Sequence, residues 1–348
     1  MRVILHIGMH KTGTTSFQEW FGDHQVLARQ NGFRFFSNPI QIMRFSDYYH
    51  PSWLVAEAQR AAKDGINALV FSAEAMSTFS KQDLVEIVGL FSDHPVEILI
   101  CLRHWNGFLP SFWAACCNWG DAQSLPSFFR RLVDFGIERT TLHYPLVIQN
   151  AVDSGADKVS ILSYNNAVSD GGLLPATLNA IGFPTTEIVF DGEERKNRRR
   201  ASLHIEKVRL LNGIYHEKQG WVQNAKFELR VSGRSRETEQ VLAGRFANQK
   251  KLQLGKTMRN YPDLIRELED QIVHHLVKNW TADEGPMIQH WREAAEVAAA
   301  PFLLNASGGQ LFDGAEVDER SYSSLDVYDL SEALKASLYN AMIADARI

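Results

Sequence analysis

Residues 3–16 constrain this chain more than any other stretch. Val3, Ile4 and Leu5 form a short apolar run, and Ile7 to Ser16 then read Ile-Gly-Met-His-Lys-Thr-Gly-Thr-Thr-Ser. A strand that ends in a glycine-bearing turn and leads into a helix makes an anion site, because backbone N–H groups converge on the turn and the helix dipole adds positive partial charge. Lys11 contributes a charge, and Thr12, Thr14, Thr15 and Ser16 contribute hydroxyls. The stretch is predicted to hold a phosphate-like group, and it points to an α/β protein.

Gly8 and Gly13 have the separation of the nucleotide triphosphate loop G-x-x-x-x-G-K-[ST], yet Thr14 stands where that loop has its lysine. The lysine is three residues earlier, as Lys11. In a kinase or ATPase the lysine reaches the outer phosphates and the next hydroxyl holds magnesium. Inside the turn it would lie beside the bridging region of the bound group instead. Lys11-Thr12-Gly13-Thr14-Thr15 resembles the 5′-phosphosulfate loop of the sulfotransferases that use 3′-phosphoadenosine 5′-phosphosulfate (PAPS). That resemblance implies that Lys11 stabilises the departing phosphate, that Gly13, Thr14, Thr15 and Ser16 hold the 5′-phosphate with Thr12 lining the loop, and that no metal is required. A magnesium-dependent P-loop phosphotransferase, and a catalytically inactive nucleotide-binding protein of the same fold, are the alternatives.

PAPS also carries a 3′-phosphate, which calls for a second anion site. Residues 96–103, Val-Glu-Ile-Leu-Ile-Cys-Leu-Arg, read as a buried strand ending in Arg103, and Ser111 follows eight residues on. An arginine grips a phosphate with two parallel N–H bonds, and a serine hydroxyl completes the shell. The family places an arginine and a serine at this spacing. It usually has Asp-Pro after the arginine, where this chain has His104-Trp105. A third segment, Arg195-Lys196-Asn197-Arg198-Arg199-Arg200, precedes a helical pattern with Val208, Leu211 and Tyr215 on one face. Asn197-Arg198 is similar to an Asn-Arg pair that many bacterial members carry near the 3′-phosphate. A solvated charge run accounts for the same residues.

The whole chain agrees with a globular enzyme. Its 348 residues are 45% hydrophobic and 22% charged, enough to bury a large core. A net charge of −5 argues against nucleic acid as a partner. No apolar run approaches the roughly 20 residues of a membrane helix, and the opening residues lack the pattern of a signal peptide. Cys116 and Cys117 are adjacent and Cys101 sits in a predicted strand, so no disulfide framework is expected and the expected setting is a reducing cytoplasm.

Strands are predicted at residues 2–7, 68–72, 96–102 and 158–163, separated by helical patterns, as in a three-layer parallel sheet with a P-loop-like first turn. The helix after the turn puts Phe17, Trp20, Phe21, Leu27 and Ala28 on one side; after Arg103 the stripe is Phe108, Phe112, Cys116 and Trp119. Both read as core. In such sheets ligands bind at the carboxyl ends of the strands, where Gly8, Glu74 and Arg103 all fall. Residues 1–220 are read as the PAPS-binding core. Residues 221–348 are read as a mostly helical appendage that can shape the acceptor pocket, contact a second copy in a homo-oligomer, or cover the core.

The acceptor, a small molecule or a glycan carrying a hydroxyl or amine, must lose a proton. Glu74 is the first candidate base. Carbohydrate-type sulfotransferases, which the chain resembles more than the small-phenol type, often use a glutamate at the end of the second strand, and a carboxylate bordering apolar surface is a better base than a solvated one. A helix N-terminal acid would explain Glu74 equally. His10, beside Lys11, is the second candidate and His104 the third.

Overall fold

A computed structural model of the chain describes residues 1–9, 11–37, 51–118, 120–135, 142–186, 188, 190, 202–218, 254–277, 286–304, 310–312, 322–323, 325 and 327–345. The first apolar run forms β1 (Arg2–Gly8), and α1 (Thr14–Asp23) and α2 (Gln25–Gln30) follow. Then come β2 (Phe33–Ser37), α3 (Ser52–Lys63) and β3 (Ala68–Ser72). A short 3-10 helix (Glu74–Thr78) leads to α4 (Lys81–Gly89), β4 (Val96–Leu102) and α5 (Trp105–Asn118). After α6 (Leu125–Phe135) and α7 (Tyr144–Val152) the sheet gains β5 (Lys158–Ser163), followed by α8 (Tyr164–Ser169) and α9 (Leu173–Ala180).

These five strands make one parallel sheet in the order β2-β3-β1-β4-β5. The strands form where the sequence runs apolar and β-branched: Val3, Ile4, Leu5 and Ile7 are at most 1% exposed, and every residue of β3 is buried. Successive side chains of a strand point to opposite faces, so both faces of β1 and β3 are covered. On one face Ile4, Val70, Leu99, Cys101 and Leu162 pack with Phe17, Trp20 and Phe21 of α1 and Leu174 and Leu178 of α9. On the other, Phe71 stacks with Phe36 and with Phe91, each at 5.6 Å between ring centres.

Four of the strands match those expected. β2 was not foreseen. Phe-Arg-Phe-Phe-Ser lacks the continuous apolar character of the others because it lies at the sheet edge, where Arg34 pairs at 2.6 Å with the buried Glu57 of α3. The strand before Glu74 is therefore third in chain order, not second.

Contacts divide the chain into two units: residues 1–108, 140–198 and 284–316 in one, and 109–139, 199–283 and 317–348 in the other. Each is built from three sequence segments, where the sequence suggested a single boundary near residue 220. In the first unit, α13 (Pro286–Ala299) and the residues after it complete the sheet edge. Leu303 bridges in parallel to Ile161, and the Leu304 N–H donates to the Ile161 carbonyl at 2.9 Å. Ser163 Oγ donates to Leu311 O at 2.5 Å, while Glu296 accepts from the N–H groups of Leu311 and Phe312 at 2.5 and 3.1 Å.

The second unit is helical. It contains α10 (Ser202–Lys218), α11 (Leu254–Asn260), α12 (Pro262–His274), a two-strand antiparallel pair β6 (Leu276–Val277) and β7 (Tyr322–Ser323), and α14 (Glu332–Asp345). Its core joins Leu210, Leu211 and Ile214 to Leu268, Ile272, Leu334 and Leu338. Val208, Leu211 and Tyr215 are buried as expected, but so are Glu206, Arg209 and Asn212 on other sides of α10. Among the described residues no helix is long and apolar enough to cross a membrane.

Candidate functional site

Because β1 lies between β3 and β4, the loops leaving all three strands emerge at one edge. The registers His6↔Ser72 and Gly8↔Cys101 keep their carboxyl ends level. Residues 9–15, Glu74 and Arg103 follow from those ends.

The turn after β1 is tightly determined. Thr12 closes it, its N–H and hydroxyl both donating to Met9 O at 3.2 and 2.6 Å. Lys11 has φ 64°, the left-handed region that costs a side-chain-bearing residue about 1–2 kcal/mol. Gly13 has φ 74°, and a Cβ there would come within 2.3 Å of Leu173 Cδ2. A Cβ on Gly8 would meet Thr14 Oγ1 at 2.0 Å, so the Thr14 hydroxyl lies directly over Gly8. That hydroxyl is buried and has no hydrogen-bond partner among the described residues. The start of α1 carries no side-chain cap and no acidic residue in its first turn; the Ser16 N–H donates to Gly13 O at 3.1 Å, which leaves the Thr14 and Thr15 amides to other acceptors. Lys11 and Ser16 are half-buried, and Thr15 is exposed.

β4 ties itself to this turn. Arg103, 3% exposed, donates from Nη1 to the Lys11 carbonyl at 3.0 Å. Its guanidinium lies over the Tyr164 ring, 4.4 Å from the centre, and its own carbonyl accepts from the Tyr144 hydroxyl at 2.7 Å. Two residues earlier, Cys101 Sγ sits 3.9 Å from Thr12 O.

His104 is fixed by its neighbours. Its N–H donates to Asn165 Oδ1 at 2.9 Å, and its Nδ1 accepts from the Asn106 N–H at 3.2 Å. Burial first, and the Arg292 charge second, push its pKa down from 6.5 to about 4. A neutral ring with Nδ1 accepting carries its proton on Nε2, so His104 offers a donor there and not a base. Phe312 meets it edge-on at 5.2 Å.

Glu74 opens the 3-10 helix after β3, half-buried, and its carbonyl accepts from Ser77 Oγ at 2.8 Å. The Ala73 N–H donates to His6 O at 3.2 Å, which holds this segment against β1. Beneath it lies a polar chain that sequence reasoning missed. Gln18 Nε2 of α1 donates to Ser72 O and Ser72 Oγ at 3.1 and 3.2 Å, and Ser72 Oγ lies 2.8 Å from His6 Nδ1. His6 is 2% exposed, and burial pushes its pKa down to about 4. The sequence signal was present: His6 is the one polar residue inside the apolar strand before Gly8.

Of the predicted residues, the fold brings Lys11 to Ser16 together with Arg103 and sets Glu74 at the neighbouring strand end. Ser111 is half-buried in the second turn of α5 and belongs to the second unit. His10, Asn197 and Arg198 lie outside the described residues. No protein-family model and no curated protein matches this sequence.

Proposed function

We propose that the chain is a sulfotransferase that moves the sulfuryl group of PAPS to a hydroxyl or amine acceptor. The supporting observation is the direct contact between the Lys11 carbonyl and Arg103, which brings the two sequence motifs that resemble the family to one edge of a parallel sheet. On this reading the turn is a P-loop-like cradle, and the helices and sheet form a three-layer core. The start of α1 without a side-chain cap and the buried Thr14 hydroxyl, which has no hydrogen-bond partner among the described residues, fit an anionic group.

The donor supplies an activated sulfur–oxygen bond to a phosphate leaving group. In-line attack by the acceptor oxygen or nitrogen breaks that bond, and catalysis comes mainly from positioning and charge stabilisation. Lys11 neutralises the charge that develops on the departing phosphate. Glu74 takes the acceptor's proton. Arg103, Ser111, Asn197 and Arg198 are assigned to the 3′-phosphate by the resemblance. The acceptor is a small molecule or glycan, the setting is cytoplasmic, and magnesium has no assigned role.

Thermal unfolding with adenosine 3′,5′-bisphosphate against ATP–magnesium tests this. A ligand at about 100 times its Kd adds about 2.7 kcal/mol, so the bisphosphate should raise the Tm and Lys11→Ala should abolish the rise. A rise with ATP–magnesium alone would favour the phosphotransferase and overturn the proposal. Glu74→Gln should keep the bisphosphate shift and lose sulfuryl transfer by about 10²–10⁴-fold; unchanged turnover removes Glu74 from the role.

A further inference from the structure

Arg103 does something in this fold that phosphate binding does not require. Its side chain is almost wholly enclosed, its Nη1 donates at 3.0 Å to the carbonyl of Lys11, and its guanidinium plane is backed by Tyr164. Lys11 is the only non-glycine among the described residues with positive φ. A charge-assisted bond to the carbonyl of such a residue holds its peptide in place and offsets the cost of the left-handed conformation. Tyr144, by donating its hydroxyl to the Arg103 carbonyl at 2.7 Å, fixes the base from which that side chain reaches. The bond therefore runs from one strand end to the strained residue at the centre of the neighbouring turn.

We infer that Arg103 is a positioning residue for the Lys11 turn: it sets the turn's affinity for the 5′-phosphate end of a nucleotide, apart from any contact of its own with a 3′-phosphate. This rests on the nucleotide reading above and adds to it a second role for one residue. The two roles separate by ligand. An arginine that acts only on a 3′-phosphate leaves ligands lacking that group untouched. One that shapes the turn weakens every ligand the turn holds.

The probes are adenosine 5′-phosphate and adenosine 3′,5′-bisphosphate, titrated calorimetrically into the wild type, Arg103→Ala and Tyr164→Leu. Losing a charge-assisted bond corresponds to a fall of about tenfold or more. Arg103→Ala should weaken the 5′-phosphate by that factor and the bisphosphate by at least as much. Tyr164→Leu keeps the arginine and removes its backing ring. It should weaken both ligands by a smaller, equal factor, and it decides the matter if Arg103→Ala does not fold. Unchanged 5′-phosphate affinity in the folded variants, with the bisphosphate alone weakened, overturns the inference. A wild type that binds neither nucleotide fails at the earlier step, and the nucleotide reading falls with it.

Discussion

His6 and His104 are buried imidazoles held neutral, one by its place in the strand core and the other by burial and the nearby Arg292 charge. Each has its pKa lowered from 6.5 to about 4. The unfolded chain takes up protons near pH 6.5 and the folded chain does not, so stability is full above about pH 7 and falls as the pH drops towards 4. From pH 7 to pH 5 the loss is about 2 kcal/mol for each histidine. Urea unfolding at the two pH values measures it. His6→Gln should remove about half of this histidine-dependent loss, and an undiminished drop in that variant would show that His6 is not the titrating group. Of these two residues the sequence raised only His104, as a base. What set its role was the Asn106 N–H that occupies Nδ1, a contact between near neighbours that residue types alone do not reveal. Lys11 is a similar case: its charge was legible, and its positive φ was not.

Among elements, the β1–turn–α1 unit was the most legible, because an apolar run, two glycines and a hydroxyl cluster each dictate local geometry. Gly8 shows how tightly that geometry is set. The Thr14 hydroxyl occupies the space a Cβ would need, so Gly8→Ala must displace the start of α1. It should cost about 1–3 kcal/mol and weaken phosphate-ligand binding together with stability. Urea unfolding and nucleotide titration check this, and a variant equal to wild type in both would mean that the turn is slack. The apolar strands were equally plain. β2 was hidden because an edge strand alternates with charge, and Arg34 only makes sense once Glu57 is beside it. Gln18 carries no signal of its own in the sequence; its meaning lies in Ser72, at the end of β3 and far away in the chain.

For the whole molecule, the two units are interleaved in sequence. No local pattern announces that residues 303–311 will complete the edge beside β5, since the partners Ile161 and Ser163 lie far away in the chain. In the second unit Arg209 is the joint. Wholly buried, it pairs with Glu206 at 2.7 Å and donates to Ala122 O at 3.3 Å and Leu325 O at 2.6 Å, so it meets all three segments of that unit. Arg209→Leu removes the cation bonded to the buried Glu206 and two donors to backbone carbonyls, and should cost about 3–5 kcal/mol, with part recovered in Arg209→Leu/Glu206→Leu. Denaturant midpoints of the two variants decide: equal losses would show that the lost Arg209–Glu206 pairing is not the cause.

Cys101 gives the turn a built-in gauge. Its thiol lies under Thr12, 1% exposed, with its pKa pushed up to about 12 by burial. Neutral solution holds almost none of it as thiolate, the form that alkylating reagents attack. Such a reagent can mark Cys101 only in molecules where the end of β4 has parted from the turn. The speed of marking, read peptide by peptide, is then a clock for that parting, and any molecule seated in the turn slows it.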